Sequence, residues 1–148
     1  MHILVLHGPN LTLFGRREPQ IYGNVTLQQI NDRLQHLAVE LGCRLSIRQS
    51  NHEGALIDFF QEHIDDAQGA IINPGGLTHS SVSLHDCIKA LPFPVLEVHL
   101  SHLAAREEWR QRSVIAPACR GSITGLGWRS YTTALRALAE ALMEQGNG

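Results

Sequence analysis

MHILVLHGPNLTLFGRREPQIYGNVTLQQINDRLQHLAVELGCRLSIRQ, residues 1–49, contains in order a strand, a long connection, a helix and a second strand. ILVL at 3–6 is a short unbroken apolar run, as a strand buried on both faces requires. Thr26 then opens a pattern in which Leu27, Ile30, Leu34, Leu37 and Leu41 recur every three or four residues, and Gly42 ends it. That spacing predicts one amphipathic helix between a hydroxyl cap and a terminating glycine. RLSIRQ at 44–49 returns to an extended pattern. Strand, helix, strand is the unit from which parallel sheets are built.

The unit repeats to the end of the chain. Further strands are expected at AIIN (70–73), PVLEVHL (94–100) and GSITGLG (121–127). Helices are expected around Leu56, Phe59, Phe60 and His63 or Ile64, over about 82–91, and over about 131–144. The expected fold is α/β, a flavodoxin-like, doubly wound sheet of five parallel strands in three layers, α/β/α. No shift in composition divides the 148 residues, so 1–148 is read as a single catalytic domain with an active-site lid at about 11–24.

Ligands of such sheets bind outside the carboxyl ends of the strands. Those ends supply Gly8, Pro9 and Asn10; Ser50, Asn51 and His52; Asn73, Gly75, Gly76 and His79; and His99, Leu100 and Ser101. Polar groups from four strands converge on one rim. The connection from His7 to Gly23 has no hydrophobic period and holds Asn10, Arg16, Arg17, Glu18 and Tyr22. A connection of that length in a compact domain is usually a functional lid. A guanidinium, always charged, can stabilise a phenolate and let a tyrosine act as a base.

Composition narrows the partner. Net charge is -2, and the basic residues are scattered, which favours neither nucleic acid nor a membrane surface and leaves a small molecule. Cys43, Cys87 and Cys119 are widely spaced and odd in number, so reduced thiols in the cytoplasm are expected rather than disulfides or a zinc site. MHILVLH is too short for a secretory core. Lys89 is the single lysine beside eleven arginines, and its place near a helix end suits solvated charge better than imine chemistry.

Nucleotide readings fail on particular residues. Gly8 to Gly15 lacks P-loop spacing, lysine and hydroxyl; GLGWRS (125–130) has no following strand and acid; HGPNLTLF has no hydroxyl-rich flavin loop. Nine histidines invite a metal, with His99 and His102 or His79 and His85 as conceivable pairs, but no HExxH or His/Cys array supports one. His2, His36 and His63 read as surface or satisfied core residues.

His99 differs, because EVHLS carries it to a strand end while Glu97, two residues back, points to the same face and can orient the ring. NPGGLTHSS (73–81) reads either as an anion- or hydroxyl-binding turn before a helix or as a well-capped βα turn. AAREEWRQRS is read as a short helix with Arg106 and Arg110 on one face, either solvated or aimed into the crevice.

Together GPNLTLFGRREPQIYG, RQSNHEGALID, INPGGLTHSSVSLHD, EVHLS, REEWRQRS and GLGWRSYTTAL closely resemble type II dehydroquinase, over nearly the whole chain. The resemblance implies a 3-dehydroquinate dehydratase of the shikimate or quinate pathways. It further implies no metal or organic cofactor and a homododecamer, a tetramer of trimers. By motif position, Tyr22 would be the proton acceptor, Arg17 would stabilise its phenolate, His99 would be the proton donor, and Asn10 would hold the water that polarises an enolate. Asn73, His79, Asp86, Leu100, Ser101 and Arg110 would bind substrate, with Glu97, Arg106, Gly75 and Gly76 in support.

Proton abstraction beside a ketone needs both a base and an enolate stabiliser, which this set supplies. Three positions depart from the family pattern: His7 for asparagine, His102 for asparagine and Ser130 for glycine. His7 and His102 are expected beside the site, where they would alter pH dependence or affinity. Two other classes are a binding or regulatory domain that has kept the fold without the chemistry, and a metal-dependent lyase or hydrolase.

Overall fold

β1 (His2–His7) is buried along its whole length and lies between two other strands, so both of its faces must be apolar. Ile3 and Val5 pack into one core cluster while Leu4 and Leu6 pack into another, the two-residue alternation of a strand. In the computed structural model, which describes residues 1–147, the sheet is all parallel in the order β2-β1-β3-β4-β5.

After β1 the lid makes a 3-10 turn at Leu11–Leu13 and a one-turn helix, α1 (Pro19–Tyr22). Leu11 and Phe14 are 2% and 3% exposed, so the lid is pinned to the core at its start. α2 (Leu27–Leu41) begins with a capping box: Thr26 Oγ1 accepts from the Gln29 N–H at 3.2 Å, and Gln29 Oε1 accepts from the Thr26 N–H at 2.9 Å. Gly42 closes it at φ 70°, where a side chain is disfavoured.

β2 (Arg44–Gln49), α3 (Glu53–Glu62), β3 (Gly69–Asn73), α4 (Val82–Ala90), β4 (Val95–His99), β5 (Gly121–Thr124) and α5 (Arg129–Asn147) complete the alternation. α2 and α5 cover one face through Ile30, Leu34, Tyr131 and Leu135, against Ile3, Val5, Ile71 and Val98. α3 and α4 cover the other through Leu56, Phe60, Leu84 and Ile88, against Leu4, Leu6, Ile72 and Val95. Each such aliphatic side chain stabilises the fold by about 1.5–3 kcal/mol on full burial. Among the described residues no helix is long and apolar enough to cross a membrane.

Two expectations need correction. The 103–112 segment forms two 3-10 turns, Leu103–Ala105 and Glu108–Arg110, rather than one helix. Its few apolar residues offer no stripe to bury, and Arg106 between the turns is extended. β5 ends at Thr124, because Gly125 and Gly127 turn the chain at φ 89° and 60°.

The chain leaves β1 toward β2 on one side and returns to β3 on the other, so the crevice opens between the carboxyl ends of β1 and β3. The two turns there interlock. The Gly8 N–H donates to the Asn73 carbonyl at 2.8 Å, and a Cβ on Gly8 would lie 2.4 Å from the Pro74 carbonyl oxygen. Gly75, at φ 59°, approaches Pro9 from the opposite side, its Cβ position 2.9 Å from the Pro9 carbonyl oxygen.

Candidate active site

The lid brings Tyr22 over the rim, where its hydroxyl meets two arginines from distant parts of the chain. Arg17 Nη2 donates to Tyr22 Oη at 3.0 Å and Arg106 Nη1 donates at 3.1 Å. The Arg17 guanidinium also lies over the phenol ring, 4.4 Å from its centroid. Five residues separate Arg17 from Tyr22, and α1, entered through Pro19 at the first helical position, folds the phenol back onto the guanidinium. Glu18 enters that turn at φ 33°, a left-handed conformation uncommon for a side-chain-bearing residue.

Tyr22 and Arg17 line one enclosed cavity of about 30 Å3 together with Asn73, Gly75, Gly76, His79, His99, Leu100, Ser101, Arg106 and Arg110. Leu11, Phe14 and Leu103 provide its apolar wall. That space is of the order of a single water.

Opposite the lid, β4 delivers His99, 6% exposed, and behind it Glu97, 1% exposed. His99 Nε2 donates to Glu97 Oε2 at 2.5 Å. The carboxylate can only accept, which fixes the tautomer and leaves Nδ1 as the ring's other nitrogen. Burial alone would raise the Glu97 carboxyl, but the His99 hydrogen bond and charge and the Thr78 and Ser113 hydroxyls outweigh it, holding Glu97 below its ordinary range. Thr78 Oγ1 donates to Glu97 Oε2, and Ser113 Oγ lies 2.9 and 3.0 Å from the two oxygens. A buried carboxylate is tolerated here because every oxygen is hydrogen-bonded. Sequence reasoning missed Thr78 and Ser113; a hydroxyl residue inside each motif is a faint signal of them.

His79 Nδ1 bonds the Arg112 carbonyl at 2.9 Å, so Nδ1 carries the proton and Nε2 is left to a ligand. Asn73 Oδ1 accepts from the Gly75 N–H at 3.1 Å, which turns the Asn73 amide nitrogen away from that turn. Arg110 Nε is within 3.2 Å of Glu107 but out of line for a hydrogen bond, and its guanidinium is supported on the Trp109 ring at 4.1 Å. Arg106 Nη1 also reaches Ser101 Oγ at 3.4 Å. Three guanidiniums therefore line a cavity with no carboxylate among its lining residues, while Glu107, outside it, lies 3.7 Å from Arg106 and 3.2 Å from Arg110. The cavity selects an anion.

Two expected site residues stand apart. Asp86 lies on α4 with its side chain 70% exposed, paired with His85 at 2.9 Å, and is not in the cavity wall. Asn10 follows β1 at φ 70°, exposed, its N–H held by Asn51 Oδ1 at 3.0 Å. His7 is also not in the cavity wall: it is fully buried, with Nδ1 2.8 Å from the Tyr131 hydroxyl and Nε2 2.7 Å from Asn31 Oδ1. Burial presses its pKa down to about 4 despite the Asn31 hydrogen bond, so it is neutral at physiological pH. The Tyr131 hydroxyl in turn meets Asn73, which ties His7 to the rim indirectly. Ser130 Oγ accepts from the Leu126 N–H at 3.1 Å, and His102 is exposed beside Gly125.

Fold and site together define an enzyme-like crevice on a flavodoxin-like sheet, with a phenol and an imidazole set among cationic side chains. Residues 1–139 match the family Dehydroquinase class II, and the chain belongs to that family. It is 55% identical to a 3-dehydroquinate dehydratase of Roseiflexus castenholzii, over 93% of this chain and 88% of that protein. It is 49% identical to the one of Thermus thermophilus, over 99% of each. Among solved structures it superposes on the type II dehydroquinase of Butyrivibrio crossotus with a TM-score of 0.91 and 38% identity, covering 93% and 97% of the two chains. The corresponding figures for the type II dehydroquinase of Propionibacterium acnes are 0.90 and 41%, over 94% and 96%.

Proposed function

We propose that this protein removes water from 3-dehydroquinate by anti elimination through an enolate, giving 3-dehydroshikimate without a metal or organic cofactor. The observation that carries this reading is the Tyr22 hydroxyl held between Arg17 and Arg106. Two cationic donors on one oxygen stabilise the negative charge that a phenolate base carries, and such a base can take the proton beside a ketone.

In the first step the C–H electron pair becomes the enolate double bond and the proton passes to Tyr22. The enolate oxygen is polarised by a water, and for Asn10 to hold that water it must turn in from its exposed position outside the cavity wall. In the second step the enolate electrons re-form the ketone and expel the β-hydroxyl, which takes a proton from His99 Nδ1 and leaves as water. Glu97 stabilises the imidazolium that supplies it. The proton on Tyr22 returns to His99 through solvent, which completes the cycle.

Arg110, His79, Asn73, Ser101 and the backbone at Leu100 hold the substrate carboxylate and hydroxyls, and lid closure excludes water from the intermediate. Asp86, outside the cavity of its own chain, can reach substrate only from a neighbouring copy, in keeping with a cytoplasmic dodecamer built as a tetramer of trimers.

Adding 3-dehydroquinate and following the ultraviolet absorbance of the conjugated enone tests the reading. Turnover is expected in wild type, insensitive to chelator, and Tyr22→Phe should abolish it by at least ~10²-fold while still binding substrate. A silent wild-type protein would point to a binding domain, and activity lost in chelator to a metal-dependent lyase.

A further inference from the structure

At the rim opposite the crevice, two histidines that the sequence reading left as surface or core residues meet an aspartate. His2 opens β1, His63 caps the C-terminus of α3, and Asp66 follows, three residues before β3 begins. His63 Nδ1 lies 2.9 Å from Asp66 Oδ1, and His2 Nδ1 lies 3.7 Å from Asp66 Oδ2. The two rings meet edge to face at 5.3 Å, and a ligand atom from each of the three residues falls within 4.8 Å of the others.

We propose that His2, His63 and Asp66 form a binding site for a divalent transition-metal ion, of which zinc(II) is the best match. Two imidazoles and one carboxylate are donors that zinc accepts, and bond lengths of about 2.0–2.2 Å place tetrahedral donor atoms roughly 3.3 Å apart. The two nitrogen–oxygen spacings, 3.7 Å to Asp66 Oδ2 and 2.9 Å to Asp66 Oδ1, lie either side of that value, and all three donors fall within 4.8 Å of one another, so an ion draws them together by side-chain movement alone.

The surroundings hold the donors ready. His2 is 3% exposed, with Nδ1 3.3 Å from the Asp66 carbonyl oxygen and Nε2 2.6 Å from Ser46 Oγ, so on binding an ion its proton moves from Nδ1 to Nε2, where Ser46 Oγ can accept it. A hydrogen bond on the far nitrogen is the usual support of a metal-binding histidine. His63 is seated edge-on against Phe59 at 4.9 Å, and on binding its proton moves from Nδ1 to Nε2.

Asp66 is half-exposed, which admits the ion and leaves a coordination position to solvent. The sheet separates the two rims: five residue steps of about 3.3 Å put His2 roughly 16 Å from His7. The ion would clamp the start of β1 to the turn after α3 and stabilise the fold without entering the chemistry.

The test uses untagged full-length protein, with zinc(II) titrated in competition with a chromophoric chelator and thermal unfolding followed with and without zinc. Wild type should take up one zinc per chain and unfold at a higher temperature with it. His63→Ala and Asp66→Asn, both at accessible positions, should each lose the bound zinc and the thermal shift while enone formation is unchanged. Uptake by both variants equal to that of wild type, or no uptake by wild type, overturns the proposal.

Discussion

The Arg106 guanidinium donates to the Tyr22 hydroxyl at 3.1 Å across 84 residues of chain, and the same nitrogen reaches Ser101 on the fixed rim. On the proposed mechanism Arg106 acts as the latch between Tyr22 and the strand-end rim. Arg17, on the same segment as Tyr22, would stay with it if that segment opened, and Arg106 would not.

The two arginines should separate kinetically. Arg17→Ala removes a phenolate partner and should lower kcat by roughly 10²–10³-fold with a smaller effect on KM. Arg106→Ala should lower kcat and also raise KM, because closure itself is weakened. Steady-state enone formation measures both, and equal kcat and KM effects in the two variants would remove the distinction between partner and latch.

Glu97→Gln keeps the shape beside His99 but removes the buried charge and puts an amide among Thr78, Ser113 and His99. A fall in kcat of about 10²-fold or more is expected, since the imidazolium loses its counter-charge. Glu97 also contributes to stability. Its folded-state pKa is depressed, so its contribution is present above the unfolded carboxyl's pKa and is lost as pH falls through the folded value. Acid unfolding of Glu97→Gln should show a shallower loss over that range.

His7 has the opposite proton linkage from a salt-bridged histidine. Its folded pKa of about 4 lies below the unfolded 6.5, so the unfolded chain binds the extra proton between those values. Stability is complete above pH 6.5 and is lost as pH falls toward 4, by about 2 kcal/mol between pH 7.5 and 5. Denaturant unfolding at the two pH values should show that loss in wild type and not in His7→Asn. The pH–rate profile near neutrality should be the same in both proteins, because His7 is neutral throughout that range.

Gly8→Ala should distort the rim. The added Cβ meets the Pro74 carbonyl at 2.4 Å, and neither backbone can yield without moving Asn73. A destabilisation of about 1–3 kcal/mol is expected with a raised KM, measured by chemical unfolding and substrate titration. Gly76→Ala, with no protein atom within 4 Å of its Cβ position, should leave stability unchanged.

The alternation of buried strands with three-to-four-residue helical periods was sufficient to place five strands and four long helices, because burial imposes its period directly on residue type. Thr26 and Gly42 marked the ends of α2 for an equally local reason, the unpaired backbone groups at each terminus. The spacing of Arg17 and Tyr22 was local as well, and the pair is formed as expected. The chain from 103 to 112 misled, since charge spacing alone does not make a helix without an apolar face to bury.

What the sequence by itself determined about this protein is the α/β architecture, the rim at the strand ends and the chemical types gathered there. Only the tertiary structure decided which groups touch. It joined Arg106 to Tyr22, enclosed Glu97 with Thr78 and Ser113, kept Asp86 out of the cavity, turned His7 into the core, and brought His2, His63 and Asp66 together at the far rim. Periodicity reports which side of an element is buried, whereas these contacts depend on the sheet order and on loop paths that bring distant residues within hydrogen-bond reach.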